Sequence, residues 1–184
     1  YIYGNIKQYK KAIEYGELSL QIGRQIKNDY SITTTLVNLS TVYILTGEIQ
    51  RAVKALEEAR AIANRTNNQY ALLITSLNLG DANIRLGNFH KLESYFDEAL
   101  TLAEKLGDKE SVVIALRGKA LHSFYSKKIV EAESYANQSL QLAIANNMIE
   151  NIGKAYTVLA DIAVLKGDFK INNYYAIKSD SIRT

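Results

Sequence analysis

The chain has 184 residues, of which 47% are hydrophobic, and it has no cysteine, no proline and a formal net charge of +3. Without cysteine there can be no disulfide bond or thiolate metal site, and the dispersed charges argue against a nucleic-acid-binding protein. No apolar run approaches the roughly 18 residues of a membrane-spanning helix, so we expect no membrane insertion by this segment. The compartment stays open between cytoplasm and periplasm, and the start at Tyr1 rather than Met leads us to expect a piece of a longer protein.

Short loops of similar sequence recur along the chain at a constant spacing of 40 residues. They read Gly47-Glu48-Ile49, Gly87-Asn88-Phe89, Lys127-Lys128-Ile129 and Gly167-Asp168-Phe169. The same step backwards reaches Lys7-Gln8-Tyr9, which predicts a turn and a truncated copy at the N-terminus. A fixed period of about 20–50 residues is typical of repeat arrays, in which each unit packs only on its neighbours.

In chain order we predict a truncated unit and four full units within a single domain. Their ranges are 1–28, 29–68, 69–108, 109–148 and 149–184. After each loop, apolar residues recur every three or four positions, as at Ile49, Ala52 and Leu56, which indicates one face of an α-helix. Residues that tolerate turns and caps separate the units at Lys27-Asn28-Asp29, Asn67-Asn68-Gln69, Gly107-Asp108-Lys109 and Asn147-Met148. Each full unit is therefore predicted as two helices, and the chain as an all-α protein of about nine helices.

The pattern inside the units has a recognisable form. The clearest positions are Leu36, Leu39-Ser40, Tyr43, Ala52, Leu56 and Ala59 in the first full unit, Leu79-Gly80, Leu92, Phe96 and Ala99 in the second, and Tyr156, Leu159-Ala160 and Ala163 in the fourth. This pattern resembles the tetratricopeptide repeat family, in the 40-residue form found in bacterial sensor and regulatory proteins. The resemblance implies a right-handed α-α superhelix, a solenoid of antiparallel helix pairs.

Small residues recur where two helices of a hairpin would have to approach closely. They are Ser40, Gly80, Ala120 and Ala160 on the first helices, and Ala59, Ala99, Ser139 and Ser179 on the second helices. The third full unit departs most from the pattern, with Lys119, Ser123 and Lys127 where leucine, tyrosine and glycine are expected. Either this unit is flexible or specialised, or it has drifted and is supported by its neighbours.

The resemblance implies a concave groove, lined by the first helix of each unit, that binds a protein or peptide ligand. The candidate groove residues are Asn38, Thr41, Asn78, Asp81, Arg117, Leu121, Lys154 and Asp161. An asparagine amide offers both a donor and an acceptor to an extended peptide, although it could also bond to a neighbouring helix. Arg117 could hold a carboxylate or pair with Asp81 or Asp161.

Tyrosine recurs at one place in the second helices, at Tyr15, Tyr95, Tyr135 and Tyr175. We expect these rings to pack against the following unit, with the hydroxyl reaching water. No catalytic constellation is visible, since the histidines, His90 and His122, fall in different predicted units, and we expect neither an enzyme, a metal nor a cofactor.

The leading hypothesis is a protein- or peptide-binding module, the sensor or interaction region of a larger bacterial signalling protein. Residues 173–182 resemble the last helix before the effector region in such sensor proteins. Two alternatives stay open: an assembly scaffold, with a possible homodimer through exposed terminal repeats, and the peptide-responsive regulatory half of a phosphatase or transcription factor.

Overall fold

The computed structural model describes residues 2–183, and side chains from Gln8 to Ile182. Over this range the chain forms nine α-helices and one 3₁₀ turn, and no strand. The helices are α1 (Ile2–Gln25), α2 (Asp29–Leu45), α3 (Ile49–Arg65), α4 (Gln69–Leu86), α5 (Leu92–Leu106), α6 (Lys109–Tyr125), α7 (Ile129–Ala145), α8 (Ile149–Leu165) and α9 (Phe169–Arg183), with the 3₁₀ turn at Phe89–Lys91 before α5. The predicted all-α fold of about nine helices is confirmed.

Every turn between consecutive helices contains a residue with positive φ, and these residues are evenly spaced along the chain. They are Lys27, Gly47, Asn67, Gly87, Gly107, Lys127, Asn147 and Gly167. A left-handed residue just after a helix lets the following amides bond back to the last free carbonyl groups, which ends the helix. Because each helix and its turn together span half of the sequence period, two of them make one repeat.

Side-chain caps fix where several helices begin. The carboxylate or amide oxygen of the cap residue accepts a hydrogen bond from a backbone amide three positions later and satisfies one of the free donors of the first turn. The pairs are Asn28 with Ser31 at 3.0 Å, Asn68 with Ala71 at 3.0 Å, Asp108 with Ser111 at 3.1 Å and Asp168 with Ile171 at 3.0 Å. The Asn and Asp residues predicted to separate the helices therefore do so as N-caps.

The turn predicted at Lys7-Gln8-Tyr9 is wrong, because α1 continues from Ile2 to Gln25 without interruption. Lys127 shows that a turn can form in this register without glycine or asparagine. That turn brings α6 onto α7, and the packing of the two helices offsets the strain of the left-handed residue. The described residues contain no helix before α1 on which such a hairpin could close.

The chain divides into two compact units, Tyr1–Asn88 with α1–α4 and Phe89–Thr184 with α5–α9. We call them unit 1 and unit 2. The division falls inside the predicted second repeat, directly before the 3₁₀ turn.

In unit 1, consecutive helices pack on each other, and the core is made by the facing sides of α1, α2 and α3. Its buried members include Leu20, Leu36, Leu39, Tyr43 and Ala52. In unit 2, a second core joins α6, α7 and α8.

The small residues predicted at the helix contacts are all buried, which confirms that part of the register. Two of them make a hydrogen bond across their hairpin in unit 2. Ser139 Oγ donates to the carbonyl oxygen of Val113 at 2.9 Å, and Ser179 Oγ donates to that of Gly153 at 3.1 Å. A larger side chain at these positions would separate the two helices.

Two of the unusual residues of the third full repeat, Lys119 and Ser123, are accommodated within unit 2. Lys119 Nζ donates to the Asp97 carboxylate and lies 4.9 Å from the ring centroid of Tyr135. Its side chain is only 17% exposed. Burial opposes the ammonium charge, but the hydrogen bond and negative charge of Asp97 outweigh it and raise the pKa of Lys119. Ser123 is buried as well, so the departures from the repeat pattern are accommodated by local packing.

Candidate functional site

The first helices of unit 1, α2 and α4, lie against each other and present one surface, which we call the first-helix face of unit 1. Positions three or four apart fall on one side of a helix. On α2 this side carries the exposed residues Tyr30, Thr34, Asn38 and Thr41, and on α4 it carries Tyr70, Asn78 and Asp81. Four of the eight predicted groove residues are therefore found on this face.

A cleft opens on this face between α2 and α4. One cavity of about 190 Å³ is lined by Tyr30, Thr33, Thr34, Val37, Asn38, Asn68, Tyr70, Ala71 and Ile74. A second cavity of about 450 Å³ adjoins it through Tyr30, Thr33 and Asn68 and extends to Asp29 and Thr66. The first cavity is smaller than the roughly 300 Å³ of ordinary small-molecule pockets, so its size suits a single side chain.

Two tyrosines that line this cleft were missed from the sequence. Tyr30 is 75% exposed and Tyr70 is 60% exposed, and each stands in the first turn of its helix. They occupy the same place in consecutive repeats, so the repeat register could have found them. That place holds Glu110 and Glu150 in unit 2, which gives the two units different chemistry there.

The predicted asparagines differ in their placement. Asn38 is exposed in the cleft wall, whereas Asn78 is half-buried and lies outside the residues that line it. Neither side-chain amide makes a hydrogen bond to another described residue, so the bond to a neighbouring helix that we weighed is not formed within that range. Asp81 is held by Arg85, whose Nε lies 3.2 Å from Asp81 Oδ2.

In unit 2 the corresponding surface is formed by α6 and α8, which also lie against each other. Lys154 Nζ lies 2.6 Å from Glu150 Oε1. The hydrogen bond and charge of Lys154, with a contribution from the charge of Arg117, lower the pKa of Glu150. Glu150 is thus paired with Lys154, and the charge of Arg117 acts on the same carboxylate, which the sequence did not suggest.

The other two predicted residues of unit 2 have different surroundings. Leu121 is half-buried and packs against the core of the unit, so it offers only part of its side chain to a ligand. Asp161 is exposed, yet partial desolvation raises the pKa of its carboxyl group. A carboxylate that has lost some of its water gains more from a cationic partner than a fully hydrated one does.

Two of the recurring tyrosines contact the first helix of their own hairpin. The ring of Tyr135 lies near Lys119 of α6, and the ring of Tyr175 lies 5.8 Å from that of Tyr156 of α8. Tyr135 also packs against a core that α8 of the following repeat helps to form. Tyr15 is 70% exposed and lines a small cavity with residues of α2, the first helix of the following repeat.

Within the described part of the chain, no three His, Asp or Glu side chains converge in a way that could hold a metal ion. In the same range, none of the helices combines the length and the apolar character needed to cross a membrane.

The helix pairs, their constant repeat and the small residues at their contacts can be compared with known proteins. The sequence profile described as tetratricopeptide repeat matches residues 1–65 and 72–145. The chain belongs to the tetratricopeptide repeat family. Tetratricopeptide repeats are non-enzymatic modules that generally mediate protein–protein interactions. A search of curated protein sequences gives no match for the chain.

Solved tetratricopeptide-like structures superpose on almost the whole chain. BtubC (BKLC) from P. vanneervenii is 17% identical with a TM-score of 0.79, over 98% of this chain and 75% of that one. A Podosopora anserina putative kinesin light chain, with nearly identical TPR-like repeats, is 18% identical with a TM-score of 0.74, over 98% of this chain and 90% of that one. At such identities the likeness shows the tetratricopeptide fold alone.

Proposed function

We propose that this tetratricopeptide repeat chain binds an extended peptide segment of a partner protein on the first-helix face of unit 1. The observation that supports this most directly is the cleft between α2 and α4, which Tyr30, Asn38 and Tyr70 line. Exposed tyrosine rings offer a large apolar contact area together with a polar hydroxyl group, which is why they are enriched at interfaces.

The chemistry of the cleft suits a peptide better than a compact ligand. Val37, Ala71 and Ile74 line the smaller cavity and favour one apolar side chain of the peptide. The amide of Asn38 can donate to a peptide carbonyl and accept from a peptide N–H, so that neither group is buried without a partner.

The corresponding surface of unit 2 offers a separate, charged contact for a partner. Lys154 is paired with Glu150 in the free protein, so an acidic group of a partner must compete with that carboxylate. Asp161 is the better anchor, because its partly desolvated carboxylate favours a basic residue of the partner. The surface of unit 2 therefore fits a basic residue of a partner best, as the cleft of unit 1 fits an apolar one.

The test is a peptide selection followed by calorimetry. Peptides selected on the wild-type chain from a random library are titrated into Asn38→Ala and Tyr70→Ala variants. We expect each variant to bind about tenfold more weakly, since each loses roughly 1–2 kcal/mol of contact. Exposed residues away from the face give matched controls, Asn64→Ala on α3 and Tyr174→Ala on α9. Equal losses in the controls, or none in the cleft variants, would refute the assignment.

We further propose that residues 1–184 act as one solenoid, the sensor or interaction region of a larger bacterial signalling or regulatory protein. A related possibility is the peptide-responsive regulatory half of a phosphatase or transcription factor. Peptide binding that leaves the output of the full-length protein unchanged would count against both.

The alternative of a self-associating scaffold is supported by apolar side chains left exposed on the terminal helices. They are Tyr15, Leu18 and Ile22 on α1, and Ile171, Tyr174 and Ile177 on α9. Each set follows helical spacing and so forms a stripe on its helix. Light scattering should then give a concentration-dependent dimer mass that Ile22→Lys or Ile177→Lys reduces to a monomer. A monomer at millimolar concentration would exclude this scaffold.

A further inference from the structure

A larger cavity lies on a different side of unit 1, between α1 and α3, with α2 as its floor. It has a volume of about 720 Å³, and we call it the α1–α3 pocket. Its buried hydrophobic lining consists of Leu20, Leu36, Leu39, Tyr43 and Ala55. The volume is within the range of about 300–1,000 Å³ typical of small-molecule sites and exceeds what one protein side chain would fill.

The repeat register explains why the pocket exists. Tyrosine recurs at positions 15, 95, 135 and 175, but the remaining member of this series, position 55, is alanine. In unit 2, Tyr135 and Tyr175 are half-buried against the core. Ala55 lines the pocket, so the ring that these repeats place between two second helices is missing here. The α1–α3 pocket therefore includes the space that the rings of Tyr135 and Tyr175 take in their own repeats.

A second register position strengthens this comparison. Leu39 in the pocket floor corresponds to Lys119 in unit 2, two repeats later. Lys119 fills its own site by reaching the Asp97 carboxylate and the ring of Tyr135. In unit 1 the smaller pair, Leu39 and Ala55, leaves the corresponding space open and apolar.

Two ion pairs join α1 to α3 at the edges of the pocket. Arg24 Nη2 lies 2.7 Å from Glu58 Oε1, and Arg51 Nη2 lies 2.7 Å from Glu17 Oε1. On both helices the two pairs are about two turns apart, which corresponds to about 10 Å along a helix axis. The two ion pairs leave a window between them through which one or two fused rings can enter. Within each pair the opposite charges neutralise each other.

Lys54 is the charge that remains at this window. It lines the pocket, is exposed, and makes no ion pair with any described residue. Arg51 also pairs with Glu48, so the ionic groups around the window balance in charge, and Lys54 is the one charged lining residue without an ion pair to a described residue. An anionic group on a ligand would be attracted to Lys54, whereas a cationic ligand would be repelled.

We propose that the α1–α3 pocket binds a small aromatic carboxylate. Its ring system takes the place of the missing tyrosine, against Leu36, Leu39 and Ala55, and its carboxylate pairs with Lys54. This site shares no lining residue with the smaller cleft cavity and does not depend on the proposed peptide binding.

The test is a titration of the full chain with 2-naphthoate, a two-ring carboxylate. The chain has no tryptophan, so the fluorescence of the probe can be followed directly alongside calorimetry. We expect saturable binding of one molecule per chain. Lys54→Gln should weaken it roughly five- to tenfold, the effect of one charge-assisted hydrogen bond, and Lys54→Arg should restore it. The uncharged 2-naphthamide should bind about as weakly to the wild type as 2-naphthoate binds to Lys54→Gln.

Ala55→Tyr supplies the decisive variant, because it restores the residue found at the same register elsewhere. It should abolish binding while the helical circular dichroism is retained. Lys105→Gln, which removes an exposed lysine of α5, is the matched control and should bind as the wild type does. Asn38→Ala should also bind 2-naphthoate normally, which separates this site from the peptide cleft.

Three results would overturn the proposal. They are no saturable binding to the wild type, undiminished binding to folded Ala55→Tyr, and equal affinities for Lys54→Gln and the wild type. If Ala55→Tyr does not fold, the Lys54 variants still test the proposal. The Lys54 side chain is exposed and outside the core, so its replacement should leave the fold intact.

Discussion

The ring of Phe96 lies directly over Gly118, so that a Cβ atom at position 118 would be 2.2 Å from Phe96 Cε1. Phe96 is buried on α5 and Gly118 is buried on α6. Position 118 is the register equivalent of Asn38 and Asn78, which have side chains. Here the absence of a side chain lets an aromatic ring approach the backbone of the neighbouring helix.

We therefore expect Gly118→Ala to destabilise the protein. Alanine improves helix propensity by up to about 1 kcal/mol, but forcing a methyl group into this contact costs about 1–3 kcal/mol. Urea unfolding should show a net loss of roughly 1–2 kcal/mol. The double variant Phe96→Leu/Gly118→Ala should be less destabilised than the sum of the single variants. A more stable Gly118→Ala protein would show that the ring moves away freely.

Lys127→Gly should stabilise the third hairpin. Lys127 has a φ of +60°, a conformation that costs a residue with a Cβ atom about 1–2 kcal/mol. Because glycine loses more backbone entropy on folding, we expect a net gain of about 0.5–1 kcal/mol in the free energy of unfolding. Gly167→Ala is the converse control. A Cβ atom at position 167 would contact nothing within 4 Å, so the only cost of alanine there is its positive φ. It should lose about 1 kcal/mol, and changes of the same sign in both variants would contradict the explanation.

Ala99→Leu should destabilise by roughly 1–3 kcal/mol, because Ala99 is completely buried at a helix contact. Ala99→Ser is the matched control, since serine occupies the equivalent positions 139 and 179. We expect the serine variant to lose less than half as much as the leucine variant. An unchanged melting temperature for Ala99→Leu would show that the contact can open without cost.

Asp161→Asn should alter the dependence of stability on pH. Partial desolvation raises the pKa of the Asp161 carboxyl group in the folded state, so the folded protein holds this proton more tightly than the unfolded chain does. The stabilisation from the protonated form is present below the unfolded pKa and is lost as the pH rises through the folded pKa. Asparagine should therefore raise the melting temperature at neutral pH but not in acid below the unfolded pKa. Asp81→Asn is the comparison, because Asp81 is paired with Arg85 and should lose stability at neutral pH.

The sequence alone determined the repeat, the helix count and the helix contacts. Gly, Asn and Asp at the turns specify the local backbone geometry. Small residues such as Ser40 and Ala59 let the two helices of one hairpin approach closely. These properties depend on neighbours close in the chain, so they can be read without knowing what lies across the fold. The assignment to the tetratricopeptide repeat family follows from these local patterns.

Only the tertiary structure decided which side chains share a surface and with whom. Arg117 was predicted to hold a ligand or to pair with Asp81 or Asp161, and the structure adds an effect of its charge on the pKa of Glu150, which the sequence did not suggest. The repeat register could have singled out Tyr30 and Tyr70 as equivalent positions, but only the placement of α2 beside α4 shows that they line a cleft. The continuous α1 and the pocket beside Ala55 have the same origin: the packing of helices distant in sequence determines whether a turn closes and whether a space is filled.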